Sequence, residues 1–213
     1  APGEQAGWGM HLGAGGWLCQ HLWSHYTFTL DKKYLENAYP IMLKAAEFYL
    51  DMLVINPATG KLVSGPAASP ENTFLAPDGS NAQISMGTSH DQQIIHELFT
   101  NVLQAASLLG SKDELLQRIQ SANGNLQLTQ IGDDGRLMEW ALPFKEIEPG
   151  HRHLSHLYAL YPGNQFNNVE TPEYVEAGKK SLAFRLSHGG GYTGWSGAWV
   201  TNLQARLKDG DKA

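Results

Sequence analysis

The run Gly16-Trp17-Leu18-Cys19-Gln20-His21-Leu22-Trp23-Ser24-His25-Tyr26-Thr27 places Trp17, Leu18, Cys19, Leu22, Trp23 and Tyr26 at helical spacing. Its apolar side chains occupy more than one face, so the helix it predicts must be enclosed on most sides. Working outward, Leu30-Asp31 turns the chain into a segment over Lys32–Ala38, and Pro40 starts an amphipathic helix reaching about Leu53. Ile41, Leu43, Ala45, Phe48, Tyr49 and Met52 are expected inward there, with Lys44, Glu47 and Asp51 outward. Asn56-Pro57-Ala58-Thr59-Gly60 closes it with turn chemistry. Residues 61–88 form an irregular stretch rich in Gly, Pro, Ser and Ala, and loops of that length within a compact domain are usually functional or disordered.

Further along, a helix is predicted from about His90 to Leu109, stopped by Gly110. Thr88 with Asp91, and Ser111 with Glu114, fit capping boxes for this helix and the next. After a second irregular stretch over 125–150, His151–Tyr161 reads as a short helix stopped by Pro162-Gly163. Thr171 caps a helix with Pro172 at its first position, and Gly189-Gly190-Gly191 precedes a last helix from Trp195 to Leu207. Enclosed, aromatic helices (16–27, 195–207) thus alternate with half-wet ones (40–53, 172–187). Concentric layering of helical hairpins produces that order, and the expected class is all-α. No sequence repeat supports a solenoid of fixed period.

With 213 residues, 42% of them hydrophobic, the chain can bury a core without disulfides. A net charge of −6 and the lack of any basic run argue against a nucleic-acid partner. No apolar run approaches the roughly 20 residues that cross a bilayer. Cys19 is the lone cysteine, so no internal disulfide is possible and the compartment stays open. The opening Ala1-Pro2-Gly3-Glu4 has neither the basic nor the apolar region of a signal peptide. Six tryptophans, eight tyrosines and nine histidines are what a sugar site needs, although an aromatic helical core uses the same residues.

Glu71, in Ser69-Pro70-Glu71-Asn72, is the first candidate for chemistry. Its structural reading is a helix start, with Ser69 as cap and Pro70 next, but no periodic apolar run follows. The loop Gly65–Ala76 holds no other charge, and such surroundings disfavour a carboxylate and favour a general acid. The second candidate is Gly150-His151-Arg152-His153-Leu154-Ser155-His156, three imidazoles and a guanidinium in six residues. No known metal spacing matches it, and His21/His25 lack the Glu of a zincin motif, so hydrogen bonding to hydroxyls or to loop backbone is the stronger reading. Asp91 is assigned to capping and Asn123-Gly124-Asn125 to a turn. The triple glycine lacks the strand and the Lys-Ser/Thr of a phosphate loop, and Ser155 and Ser196 lack a nucleophile elbow. No cofactor motif is present.

Five ordered motifs resemble glycoside hydrolase family 95, which holds α-L-fucosidases and α-L-galactosidases. They are Trp17–Trp23, Ser69–Asn72, Glu139-Trp140, Gly150–Leu157 with Tyr161-Pro162-Gly163, and Gly194-Trp195-Ser196 with Ala205-Arg206-Leu207. The resemblance covers nearly the whole chain. It implies an (α/α)6 toroid and inverting hydrolysis of terminal α-L-fucosyl or related residues from a fucosylated glycan. Glu71 would be the general acid, Asn72, Arg152 and His153 would bind substrate, and Trp8 or Trp17 would supply an aromatic wall. In the family, an upstream Asn-x-Asn and a downstream Asp hold the attacking water. Neither is found here, because Asn123-x-Asn125 lies on the wrong side of Glu71 and lacks the motif's aromatic residues.

The expectation is therefore one incomplete catalytic domain over 1–213, inactive alone and completed by the remainder of the same domain. Export to the periplasm or the exterior is implied by the resemblance only. The rival reading is a non-catalytic carbohydrate-binding helical module; a metal-dependent hydrolase is a third. The residue that separates fucose from L-galactose is expected upstream.

Overall fold

The computed structural model describes residues 6–213, so the signal-peptide reading of Ala1–Glu4 lies outside the described residues. In chain order the elements are α1 (Ala6–Gly9), α2 (Ala14–Thr29), α3 (Lys32–Met52), β1 (Leu53–Ile55), β2 (Leu62–Ser64), β3 (Phe74–Leu75), β4 (Asn81–Ala82), α4 (Ser89–Leu109), α5 (Leu115–Asn125), β5 (Lys145–Glu146), a 3-10 turn (Ser155–Leu157), α6 (Pro172–Ser187) and α7 (Gly194–Arg206). The protein is mostly helical, as the periodicity predicts. The strands are two or three residues each and organise the loops: β1 pairs antiparallel with β2, and β3 lies between β4 and β5.

Asp31 starts α3 by accepting from the Tyr34 N–H at 3.0 Å, and the helix then runs unbroken through Pro40. Pro40 is not a helix start, as the sequence had implied. It sits on the exposed face, where water can take the carbonyl that its missing N–H leaves free. The buried face also differs: Leu35, Tyr39, Met42, Leu43, Ala46 and Tyr49 point inward, while Ile41 and Phe48 are exposed. Leu35 and Tyr39, upstream of the proline, set the phase that a helix read from Pro40 misses.

Two apolar cores result. One joins α2, α3, α4 and α5 around Tyr49, Phe99, Ile95 and Ile119; the other joins α6 and α7 to Leu154–Leu160 around Trp199, Leu203 and Leu182. Trp17 reaches from α2 into the second core. The most enclosed helix is α4, which buries His90, Asp91, Gln92 and Gln93 as well as its apolar residues. In α2 only Gly16 and Cys19 are buried, and Leu18 and Phe28 stand exposed, so the enclosure expected of that helix is not met within this chain.

The expected helix over His151–Tyr161 contracts to the single 3-10 turn. The cause is Gln93 of α4: its amide donates to the His156 carbonyl at 2.8 Å and accepts from the Ala159 N–H at 2.8 Å. Buried backbone groups that a helix would satisfy are satisfied by that side chain instead. The capping boxes also fail. Thr88 makes no cap bond, and the Ser89 N–H at the start of α4 donates to the Glu139 carbonyl at 3.0 Å. Before α5 it is Asp113, not Ser111, that accepts from the Leu115 N–H, at 2.9 Å. Asn123–Asn125 form the last turn of α5 rather than a free turn, with Asn123 bonded to His96 at 2.9 Å.

Candidate active site

Ser69-Pro70-Glu71-Asn72 forms a tight turn between the β1–β2 hairpin and β3, held from below by Glu139. The Ser69 hydroxyl and the Asn72 amide both donate to Glu139 Oε1, the latter at 2.9 Å. Glu139 Oε2 receives Arg185 of α6, which also donates to the carbonyls of Glu148 and Pro149 at 3.1 and 3.2 Å. One buried ion pair therefore grips both walls of the site, the 69–72 turn and the 148–151 turn that leads into His151. Burial pushes the Glu139 carboxyl upward, but Arg185, then His156, Ser69 and Asn72, outweigh it and hold it down at about 2. Gly150 completes the lead: a Cβ there would lie 2.0 Å from the His188 carbonyl oxygen, so only glycine fits.

With the walls fixed, Glu71 is raised into the cleft at φ 58°, in the left-handed region that disfavours a residue of its kind. Arg152 donates to Glu71 Oε2, and His153 Nε2 meets the same oxygen at 2.9 Å. Oε1 makes no hydrogen bond among the described residues. His151 Nε2 donates to the Glu71 carbonyl at 3.2 Å, and its Nδ1 accepts from the His153 N–H at 3.2 Å. Burial, then the charges of His151 and Arg152, lower His153 to about 4, so it is a neutral donor at ordinary pH. The Ser196 hydroxyl at the start of α7 fixes the Arg152 carbonyl at 2.6 Å.

A cavity of about 190 Å³ opens over Glu71, lined among others by Trp8, His11, Trp17, His90, His153 and Trp195. Of the residues named from sequence, Glu71, Arg152, His153, Trp8 and Trp17 come together, with the Arg152 guanidinium 5.9 Å from the Trp8 ring centre. Asn72 does not join them: it is buried, and its amide is spent on Glu139 and the Thr73 N–H. Its place supports the turn rather than a sugar. The charge-free loop is likewise not a charge-free site, because Arg152 arrives from elsewhere in the chain. Asp91 is buried without its cap bond, and burial pushes its carboxyl up to about 7. His21 and His25 stay exposed on α2, and no group of three or more potential metal ligands gathers among the described residues.

Sequence reasoning missed Glu139, Arg185, His11 and His90. Glu139 had a signal, since it opens one of the quoted motifs. Arg185 and His90 are hidden in helical runs whose polar residues read as an outer face or a cap.

A lone carboxyl thus stands between a guanidinium and an imidazole, beside tryptophan walls on a helical frame. The chain belongs to glycosyl hydrolase family 95, whose catalytic-domain profile matches residues 1–213. It is 37% identical to alpha-L-fucosidase 2 of Arabidopsis thaliana, over 98% of this chain and 25% of that protein. It is 33% identical to a probable alpha-fucosidase A of Aspergillus niger, over 99% of this chain and 27% of that protein. A probable alpha-fucosidase A of Aspergillus oryzae is 34% identical over 73% of this chain and 22% of its own length. The chain thus spans about a quarter of the length of these curated relatives.

Proposed function

We propose that this chain carries the acid half of a hydrolase that removes terminal α-L-fucosyl, or related α-L-galactosyl, residues from glycans with inversion. The observation that carries the reading is Glu71, which lines an aromatic cavity and is pinned through one oxygen by Arg152 and His153 while the other makes no hydrogen bond among the described residues. Oε1 is then the atom that delivers a proton to the glycosidic oxygen.

Inversion also needs a water activated across a gap of about 6.5–9.5 Å. Among the described residues, Glu71 is the only carboxylate lining the cavity. We therefore assign the water-activating groups to the remainder of a larger (α/α)6 domain of which 1–213 is a part, and the exposed Leu18 and Phe28 of α2 to its contact surface.

The test is release of L-fucose from a 2′-fucosyl oligosaccharide. In the complete domain, Glu71→Gln should lose about 10²–10⁴ in rate, as loss of a general acid does. Undiminished turnover by that variant refutes the acid assignment. The isolated chain should release none, and release abolished by Glu71→Gln would overturn the division of labour. The same lone carboxylate favours a second reading, a carbohydrate-binding module without turnover, which is the outcome if the complete domain binds but never cleaves. Activity that survives EDTA removes the metal-dependent alternative.

A further inference from the structure

His11 and His90 both line the Glu71 cavity and meet Nε2 to Nε2 at 3.1 Å, their ring centres 5.3 Å apart and their planes inclined at 27°. Two nitrogens at that distance cannot both be bare or both carry protons, so one ring donates to the other. The direction is set from behind. His90 Nδ1 faces the Ser155 carbonyl oxygen at 3.4 Å, an acceptor only, so that nitrogen must carry a proton. His90 is fully enclosed, and burial lowers it to about 3, so it keeps a single proton at ordinary pH. Its Nε2 is then bare, and the proton between the rings belongs to His11 Nε2. The protein around His11 lowers its affinity for a second proton, which favours the neutral ring. That leaves His11 Nδ1 with an unshared electron pair and no partner among the described residues.

We infer that His11 is a substrate-binding residue whose Nδ1, fixed as an acceptor by the Ser155–His90–His11 relay, accepts a hydrogen bond from a hydroxyl of the sugar in the Glu71 cavity. The ligand class rests on the fucosyl reading above, whereas the relay does not. Close packing preserves the geometry: a Cβ on Gly13 would meet Ile94 Cδ1 at 2.9 Å and His90 Nε2 at 3.1 Å. Trp17 and Tyr158 wall the His90 ring at 5.6 and 6.4 Å. An acceptor fixed by such a relay favours a sugar that carries the matching hydroxyl, a distinction an apolar wall draws only weakly.

Ring-nitrogen NMR of the protein near neutral pH tests the relay without any sugar. The expected spectrum shows His90 protonated at Nδ1 and His11 at Nε2; a proton on His11 Nδ1 overturns the inference. Titration of the complete domain with L-fucose and its monodeoxy analogues tests the ligand. His11→Phe, which keeps a ring but no electron pair, should weaken L-fucose binding about tenfold, the loss of one directed hydrogen bond. One deoxy analogue should bind the variant and the unaltered protein alike. Equal L-fucose affinity of variant and unaltered protein refutes the role of His11 while leaving the fucosyl reading intact. Failure of the unaltered domain to bind L-fucose defeats that reading and the ligand named here together, and the relay's spectrum is unaffected by that result.

Discussion

Glu139 meets Ser69, Asn72 and Arg185 with two oxygens, and His156 Nδ1 lies 3.8 Å away. Such a buried pair adds little net stability, but removing one partner strands the other charge. Glu139→Gln should therefore cost about 3–5 kcal/mol in denaturant unfolding. The double change Glu139→Leu with Arg185→Met should cost less than either single change, and strict additivity would count against the pairing. These are contacts between residues 46 apart, which is why they could not be read from the chain. Glu71, Arg152 and His153 were legible because their motifs name them. Asn72 sits inside the same motif yet faces away, since adjacent residues in a turn point in different directions.

At the scale of elements, periodicity located the helices well and their ends poorly. α4 and α6 lie where the apolar spacing and Gly110 or Pro172 place them. Pro40 misled because a proline on a wet helix face is tolerated, whereas local rules treat it as a boundary. Its cost remains, so Pro40→Ala should stabilise the protein by about 1 kcal/mol or more, read as a higher thermal midpoint. No change there would mean that the helix bends enough at this point to satisfy its own carbonyls. The 151–161 segment was illegible for the opposite reason. Its backbone is held by Gln93, some sixty residues earlier, and no local pattern announces such a partner.

For the whole molecule, buried histidines set the response to acid. His90 is lowered to about 3, and His153 and His156 to about 4, all chiefly by burial. The unfolded chain takes up these protons near 6.5 and the native one far lower, so stability should fall as pH drops through 6.5 toward 4. Glu139, lowered to about 2, adds a further loss from about 4.5 downward. Asp91, raised to about 7, acts in reverse and gains stability over the same descent, as do the raised carboxyls of Glu97 and Glu146, but these three stand against six lowered histidines. Unfolding midpoints at pH 7 and 5 should show the net loss, and a rise would reverse the balance.

The left-handed backbone at Glu71 adds a final consequence. Asparagine adopts that conformation far more readily than longer side chains do. Glu71→Asn should therefore melt at a higher temperature than Glu71→Gln, although both swap the carboxylate for an amide. The most heat-resistant version of this turn is one without a carboxyl, so selection for robustness alone would drive Glu71 out.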